Sequence, residues 1–147
     1  MSDKVFIIDA SVGLKWFIPE DYSELAIEIL KSLEDPHVKL YAPELFRIEF
    51  VNAIRKYLVR KIINKELAKE ILAEIEKVPI IYESITWDRL RNSLEYALER
   101  KITVYDALYI ILAREVNGKF ITADKKLYTA VADDPHVIFI EEIGNVL

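Results

Sequence analysis

Apolar residues recur along this chain with two different spacings. Short runs dense in apolar side chains, β-branched above all, lie at Lys4–Ile8, Val38–Ala42, Pro79–Tyr82, Phe120–Thr122 and Val137–Ile140. Each is shorter than a typical helix and made of side chains that pack well on a pleated surface, so each predicts a strand. Between them the period lengthens to that of a helix. Ser11–Phe17 predicts a short helix stopped near Pro19, because the residue before a proline avoids helical geometry. From Asp21 to Glu34 the apolar positions Leu25, Ile29, Leu30 and Leu33 share one helical face. Pro43 suits the first turn of a helix running to about Lys61. Asn64 caps another that carries Leu67, Ile71, Leu72 and Ile75. Thr86 to Lys101 reads as an amphipathic helix, Val104 to Val116 as a mostly apolar one ended by Gly118, and Lys125 to Ala132 as a short one.

Strands without a polar face, separated by helices, predict an α/β sandwich with a mainly parallel sheet buried on both sides. With 147 residues, 52% of them hydrophobic, the chain is sized for a single domain over residues 1–147. No linker composition, internal repeat or low-complexity tract divides it. The absence of cysteine excludes disulfides and thiolate metal sites. The first residues, MSDKVFIID, lack the pattern of a secretory signal, and no apolar stretch reaches the ~20 residues that span a bilayer. A soluble, cytoplasmic protein with no membrane partner is the expectation. The net charge of −5 argues against general affinity for nucleic acid, although a local basic surface is compatible with it.

Four acids change the picture. Asp9, Glu49, Asp106 and Asp124 sit in apolar surroundings: FIIDASV, RIEFVNAI, VYDALYIIL and FITAD. Ligand sites in open parallel sheets form beyond the carboxyl ends of the strands. Asp9 directly follows the first strand and Asp124 follows the fourth. Asp106 opens the helix that feeds the fourth strand, and Glu49 lies early in the helix after the second. All four therefore belong to one sheet edge, where repulsion must be relieved by protonation, basic partners or a cation. Three have simpler explanations as helix caps: Asp9 and Asp124 at strand-to-helix junctions, and Asp106 in the capping box begun by Thr103. Glu49 lies mid-helix and has no cap to make. Its plain alternative is a solvated charge beside Glu44, Arg47, Asn52, Arg55 and Lys56. Ser11, Asn52 and Thr122 accompany the acids as groups able to orient carboxylates or hold water.

An oxygen-only acidic cluster suits Mg²⁺ or Mn²⁺, whose natural task is phosphate-ester chemistry. His37 and His136 are isolated, and no phosphate-binding glycine loop is present. Three readings stay open from the residues: a metal-dependent nuclease, another Mg²⁺-dependent phosphohydrolase or receiver-like phosphoacceptor, and a non-catalytic interaction module. IIDAS and IIYES fit a receiver poorly, since that site wants an acidic pair after the first strand and a phosphoacceptor after the third.

The ordered set DAS, PELFRIEFVNAI, TVYDALYIILA and FITADKKL resembles the PIN domain, in particular the VapC-type toxin ribonucleases of prokaryotes, over essentially the whole chain. The resemblance implies a three-layer α/β/α sandwich around a five-stranded sheet and an endoribonuclease using Mg²⁺ or Mn²⁺, with one or two ions per site. It implies that Asp9, Glu49, Asp106 and Asp124 form the catalytic metal site, with Ser11, Asn52 and Thr122 as accessory polar groups. It also implies a homodimer and a small VapB-type antitoxin partner. Arg47, Arg55 and Lys56, with Arg60 and Lys61, are candidates for steering RNA. Tyr105 and Tyr109 are candidates for stacking on bases, with core or dimer packing as the simpler role. The apolar Val104–Val116 helix is expected in the core or at a subunit interface.

Overall fold

In a computed structural model, which describes residues 2–147, the chain runs β1 (Lys4–Ile8), α1 (Ala10–Leu14), α2 (Ser23–Ser32), β2 (Val38–Pro43), α3 (Leu45–Val59), α4 (Lys65–Lys77), β3 (Ile80–Glu83), α5 (Trp87–Arg100), α6 (Val104–Glu115), β4 (Lys119–Thr122), α7 (Lys125–Val131) and β5 (Val137–Phe139). A 3₁₀ turn over Ile140–Asn145 follows. All five strands are parallel, in the order β3-β2-β1-β4-β5. Phe6 stands opposite Leu40 on one side and Lys119 on the other, so β1 is the central strand.

The period-2 alternation of side chains divides the core into two layers. Phe6, Ile8, Leu40, Ala42, Ile80 and Ile121 pack against α1 to α4, whereas Ile7, Phe120 and Val137 pack against α5, α6 and α7. The chain thus winds from β1 toward β3 under one layer of helices, then from β4 to β5 under the other. The direction reverses between β1 and β4, and the loops leaving their carboxyl ends part to opposite faces. A crevice opens at such a switch point.

The helix expected to lie in the core or at an interface lies in the core. Ala107 to Ala113 of α6 are all buried, packed between the sheet and α5. The apolar character of α6 is used up inside the chain and says nothing of a dimer. No helix among the described residues is long and apolar enough to cross a membrane.

Three local expectations are corrected. Pro43 does not open α3. It is the last residue of β2, opposite Glu83, and the Glu44 amide donates to the Glu83 carbonyl at 3.0 Å. A proline costs no ladder bond at a strand end, where its missing N–H has no partner to lose. Ile140 belongs to the 3₁₀ turn and not to β5. Gly118 does not supply the left-handed residue that ends α6; Asn117 does, with φ 52°. The Gly118 amide donates to the Ala113 carbonyl at 2.8 Å and that of Asn117 to Arg114 at 3.3 Å, the paired bonds of a Schellman motif.

Glycine is needed at 118 for space. A Cβ there would lie 2.8 Å from Ile7 Cδ1 and 2.9 Å from the Val5 carbonyl oxygen, which is backbone and unable to turn aside. Gly118→Ala should therefore cost roughly 1–3 kcal/mol by overpacking, while Asn117→Gly should stay within about 0.5 kcal/mol. Urea denaturation of both variants measures this, and equal tolerance of the two would contradict it.

Candidate active site

The carboxyl edge of β1 and β4 is built by caps. Asp9 is the N-cap of α1: its Oδ1 accepts from the Val12 amide at 3.0 Å and from the Ser11 hydroxyl at 2.8 Å. Asp124 is the N-cap of α7, with Oδ1 accepting from the Leu127 amide at 3.0 Å. Thr103 caps α6 by accepting from the Asp106 amide at 3.1 Å, which sets Asp106 in the first turn. The capping explanation is correct for Asp9 and Asp124, and it does not compete with a functional one; at α6 the cap is Thr103 and not Asp106. A cap occupies one oxygen of a carboxylate and fixes the direction of the other.

Glu49 comes to this edge along α3, which starts just beyond the carboxyl end of β2. The Tyr109 hydroxyl of α6 donates to Glu49 Oε1 at 2.8 Å. Tyr109 is buried and stacked on Phe120 with ring centroids 5.5 Å apart, so it stacks on no RNA base. The other candidate, Tyr105, is exposed.

The electrostatics report that the acids are neighbours. Burial raises the Asp9 carboxyl to about 6 against its hydrogen bonds to Ser11 and Val12, and the charges of Glu49 and Asp106 push the same way. Burial also raises Glu49, opposed by the Tyr109 bond and helped by the Asp106 charge. Asp106 is raised by burial, opposed by the Thr103 hydroxyl and helped by the Asp124 charge. Among the described residues no Lys, Arg or His lies within salt-bridge distance of any of the four.

Asp134, at the opposite edge, shows what a compensated acid looks like. It is 2% exposed, yet it accepts from Tyr96 at 2.8 Å, Arg114 at 3.0 Å and the His136 amide at 2.9 Å. Burial opposes ionisation there too, but these bonds and the Arg114 charge hold its carboxyl below the ordinary value. The acids around Asp9 have caps and no cation.

The remaining residues divide. Thr122 is buried, and its hydroxyl accepts from the Asp124 amide at 3.0 Å, shaping the turn that carries Asp124. Asn52 lines a cleft of about 430 Å³ with Ser11, Lys15, Glu49 and Lys56. A second cleft, of about 510 Å³, runs beside Asp106 and Asp124 and is bordered by Lys101 and Lys126. Of the five candidate RNA-steering residues, only Lys56 lines either of the two clefts beside the acids. Arg47 lies over the Tyr82 ring, 4.0 Å from its centroid, and pairs with Glu44 at 3.4 Å. Arg55 and Arg47 flank the exposed apolar surface of Ile48 and Val51. Lys15, Lys101 and Lys126 were not legible as site residues: each lies within about six residues of an acid, but nothing in the sequence shows which lysines line a cleft.

No group of three His, Cys, Asp or Glu among the described residues is gathered closely enough to form a ready-made metal cage. The donor set nevertheless has the right chemistry for a hard divalent cation. It offers carboxylate oxygens without thiol or imidazole, and Mg²⁺ needs only one or two carboxylates because it keeps most of its water.

A doubly wound parallel sheet with uncompensated acids at its switch point defines a class of α/β protein with an acidic carboxyl edge. Comparison names the family: the PIN domain model matches residues 6–132, and the chain belongs to it. The chain is 28% identical over 122 residues to Ribonuclease VapC3 of Pyrobaculum aerophilum, covering 82% of this chain and 90% of that one. Its fold is similar to a toxin–antitoxin complex from Klebsiella pneumoniae, with TM-score 0.66, 15% identity, and 91% and 96% of the two chains covered. It is similar also to VapC20 of Mycobacterium tuberculosis, described as a sarcin–ricin loop cleaving toxin, with TM-score 0.61, 15% identity, and 85% and 94% covered.

A raised carboxyl has a definite sign for stability. Asp9 goes from an ordinary 3.8 to about 6 on folding, so between these values the folded chain holds a proton that the unfolded chain releases. This stability is full below about pH 4 and is lost as pH rises through about 6. In EDTA, Asp9→Asn should then raise stability at pH 7.5 by roughly 1–2 kcal/mol, less than the full shift because Asp9 is only partly withdrawn from water. Asparagine retains the capping oxygen. The gain should shrink toward zero near pH 4 in thermal melts, and a gain independent of pH would contradict this origin.

Proposed function

We propose that this chain is a metal-dependent endoribonuclease that cleaves RNA phosphodiester bonds at the edge formed by Asp9, Glu49, Asp106 and Asp124. The observation that carries the reading is the shared edge: the half-buried carboxyls of Asp9, Glu49 and Asp106 are raised by burial, neighbouring acids push the same way, and among the described residues no basic side chain is within salt-bridge distance. Membership of the PIN domain family and the likeness to a chain named Ribonuclease VapC3 support ribonuclease activity over other phosphate-ester chemistry.

Asp9, Asp106 and Asp124 are the residues that would hold Mg²⁺ or Mn²⁺, one ion or two, with Glu49 completing the set or orienting a water. When bound, such an ion supplies positive charge against the scissile phosphate and makes a water acidic enough to attack it. The chain supplies placement. Ser11 and the Val12 amide fix Asp9, and the Leu127 amide fixes Asp124, so the carboxylates do not have to be ordered when the substrate arrives. The two clefts flank the acids, with Lys15 and Lys56 along one and Lys101 and Lys126 along the other. An RNA backbone crossing the acidic line would therefore meet ammonium groups on each side of the phosphate to be cut. That local pattern reconciles nucleic-acid binding with a net charge of −5.

The solved toxin–antitoxin complex of the same fold supports a toxin role with an antitoxin as partner; a small antitoxin of the VapB type, a homodimer and action in the cytoplasm extend that proposal.

The decisive assay incubates a defined single-stranded RNA with the protein and Mg²⁺ or Mn²⁺. Cleavage should be abolished by EDTA and should fall at least about a hundredfold in Asp9→Asn and in Asp124→Asn, the loss expected when a group handling transition-state charge is removed. Turnover of small phosphate esters without RNA cleavage, or cleavage indifferent to both substitutions, would refute the proposal. Lys56→Ala and Lys126→Ala should each weaken RNA binding and lower the slope of log affinity against log salt by about 0.7, the share of one phosphate contact to a single strand. Fluorescence anisotropy across salt concentrations measures that slope.

A further inference from the structure

We propose that Tyr109 is a positioning residue for Glu49: its buried hydroxyl holds Oε1 so that Oε2 faces the cation site. The inference rests on the metal-site reading above and goes beyond it in giving Glu49 an anchor.

Glu49 is the member of the acidic set without a cap. It lies mid-helix, on a side chain with three rotatable bonds, beside a cleft open to water. Left alone, such a side chain keeps its rotamer freedom and turns toward solvent, away from the charge of Asp106. One contact opposes that. Tyr109 belongs to α6, in the helical layer on the other face of the sheet from α3, and its hydroxyl passes the carboxyl edge to reach Glu49 at 2.8 Å. The donor is rigid. The ring is 1% exposed and stacked on Phe120 with an interplanar angle of 23°, within the buried core between α6 and the sheet. Only rotation about the C–O bond remains free.

Packing of the ring does not require the hydroxyl. Phenylalanine would fill the same slot against Phe120 with the same ring and no polar atom to satisfy. A buried hydroxyl is tolerated only when bonded, and Glu49 is its hydrogen-bond partner among the described residues. The bond also divides the carboxylate, occupying Oε1 as the caps occupy Oδ1 of Asp9 and of Asp124. All three acids are thereby held by one oxygen, by groups from three different elements at the carboxyl edge of the sheet.

The test is a double-mutant cycle read by Mn²⁺ binding, with electron paramagnetic resonance counting the free ion, on the full chain carrying Tyr109→Phe, Glu49→Ala or both. Tyr109→Phe should weaken Mn²⁺ binding about tenfold, the loss usual for an outer partner of a ligating group, while the melting temperature in EDTA moves by only a few degrees. In the Glu49→Ala background the same substitution should change neither Mn²⁺ binding nor RNA cleavage. Unchanged binding in Tyr109→Phe, or an equal loss with and without Glu49, gives Tyr109 a packing role and overturns the proposal. If the unsubstituted protein binds no Mn²⁺, the metal site itself is refuted. If it binds and cleaves while Tyr109→Phe is indifferent, only the positioning role is lost.

Discussion

The burial of β1 on both faces is the constraint on which the rest of this molecule depends. Phe6, Ile7 and Ile8 are each 2% exposed or less, Phe6 and Ile8 toward one helical layer and Ile7 toward the other. A strand with no face left for water must be central, and its neighbours must be reached by crossovers through helices. Once β1 is central and β4 lies beside it, the chain has to reverse its winding between them. The crevice is a consequence of that reversal, and Asp9 is at its mouth because it is the residue where β1 ends. Gly118 serves the same strand from outside, since the turn into β4 packs directly on Val5 and Ile7.

The edge so formed holds its charges in an unrelieved state. Burial and mutual repulsion raise Asp9, Glu49 and Asp106, whereas Asp134, more deeply buried, is lowered because Tyr96, Arg114 and the His136 amide surround it. The contrast is between an acid that folding has compensated and a set that folding has left for something else to compensate. Helix caps make that state tolerable. They give Asp9 and Asp124 a structural reason to be fixed in place, each through one oxygen, without neutralising either. Each cap takes one oxygen of its carboxylate, so a cap and a ligand are compatible roles for the same residue.

Glu49 differs because its order comes from across the fold. Its tie to Tyr109 joins α3 and α6, which lie on opposite faces of the sheet. The acidic edge is therefore also a place where the two layers are fastened together, and its geometry is sensitive to how α6 packs on Phe120. The lysines flanking it are of another kind: exposed or half-buried side chains on α7, at the end of α5 and just after α1, each close in sequence to one acid and set along a cleft by the fold.

Much of this was legible in the linear order of residues. Strand runs without a polar face dictate a parallel sheet, and turn chemistry at Asp9, Thr103 and Asp124 sets the helix starts, because both are local effects within a few residues of chain. Four acids at corresponding ends of those elements, in motifs resembling a PIN domain, identified the edge. Boundaries moved where two local rules competed: Pro43 suits a helix start but also a strand end, and Gly118 suits a helix stop but was needed for the space beside Val5. What no local pattern contained was contact between distant segments. That Tyr109 turns inward to Glu49 rather than outward to a base, that Lys56 borders a cleft beside Ser11 while Arg47 is drawn to Tyr82, and that α6 is spent on the core, were decided by packing between segments far apart in sequence. Residue chemistry determined which groups this protein would place at its carboxyl edge; tertiary structure alone decided which of them hold one another, because that depends on distances folding sets.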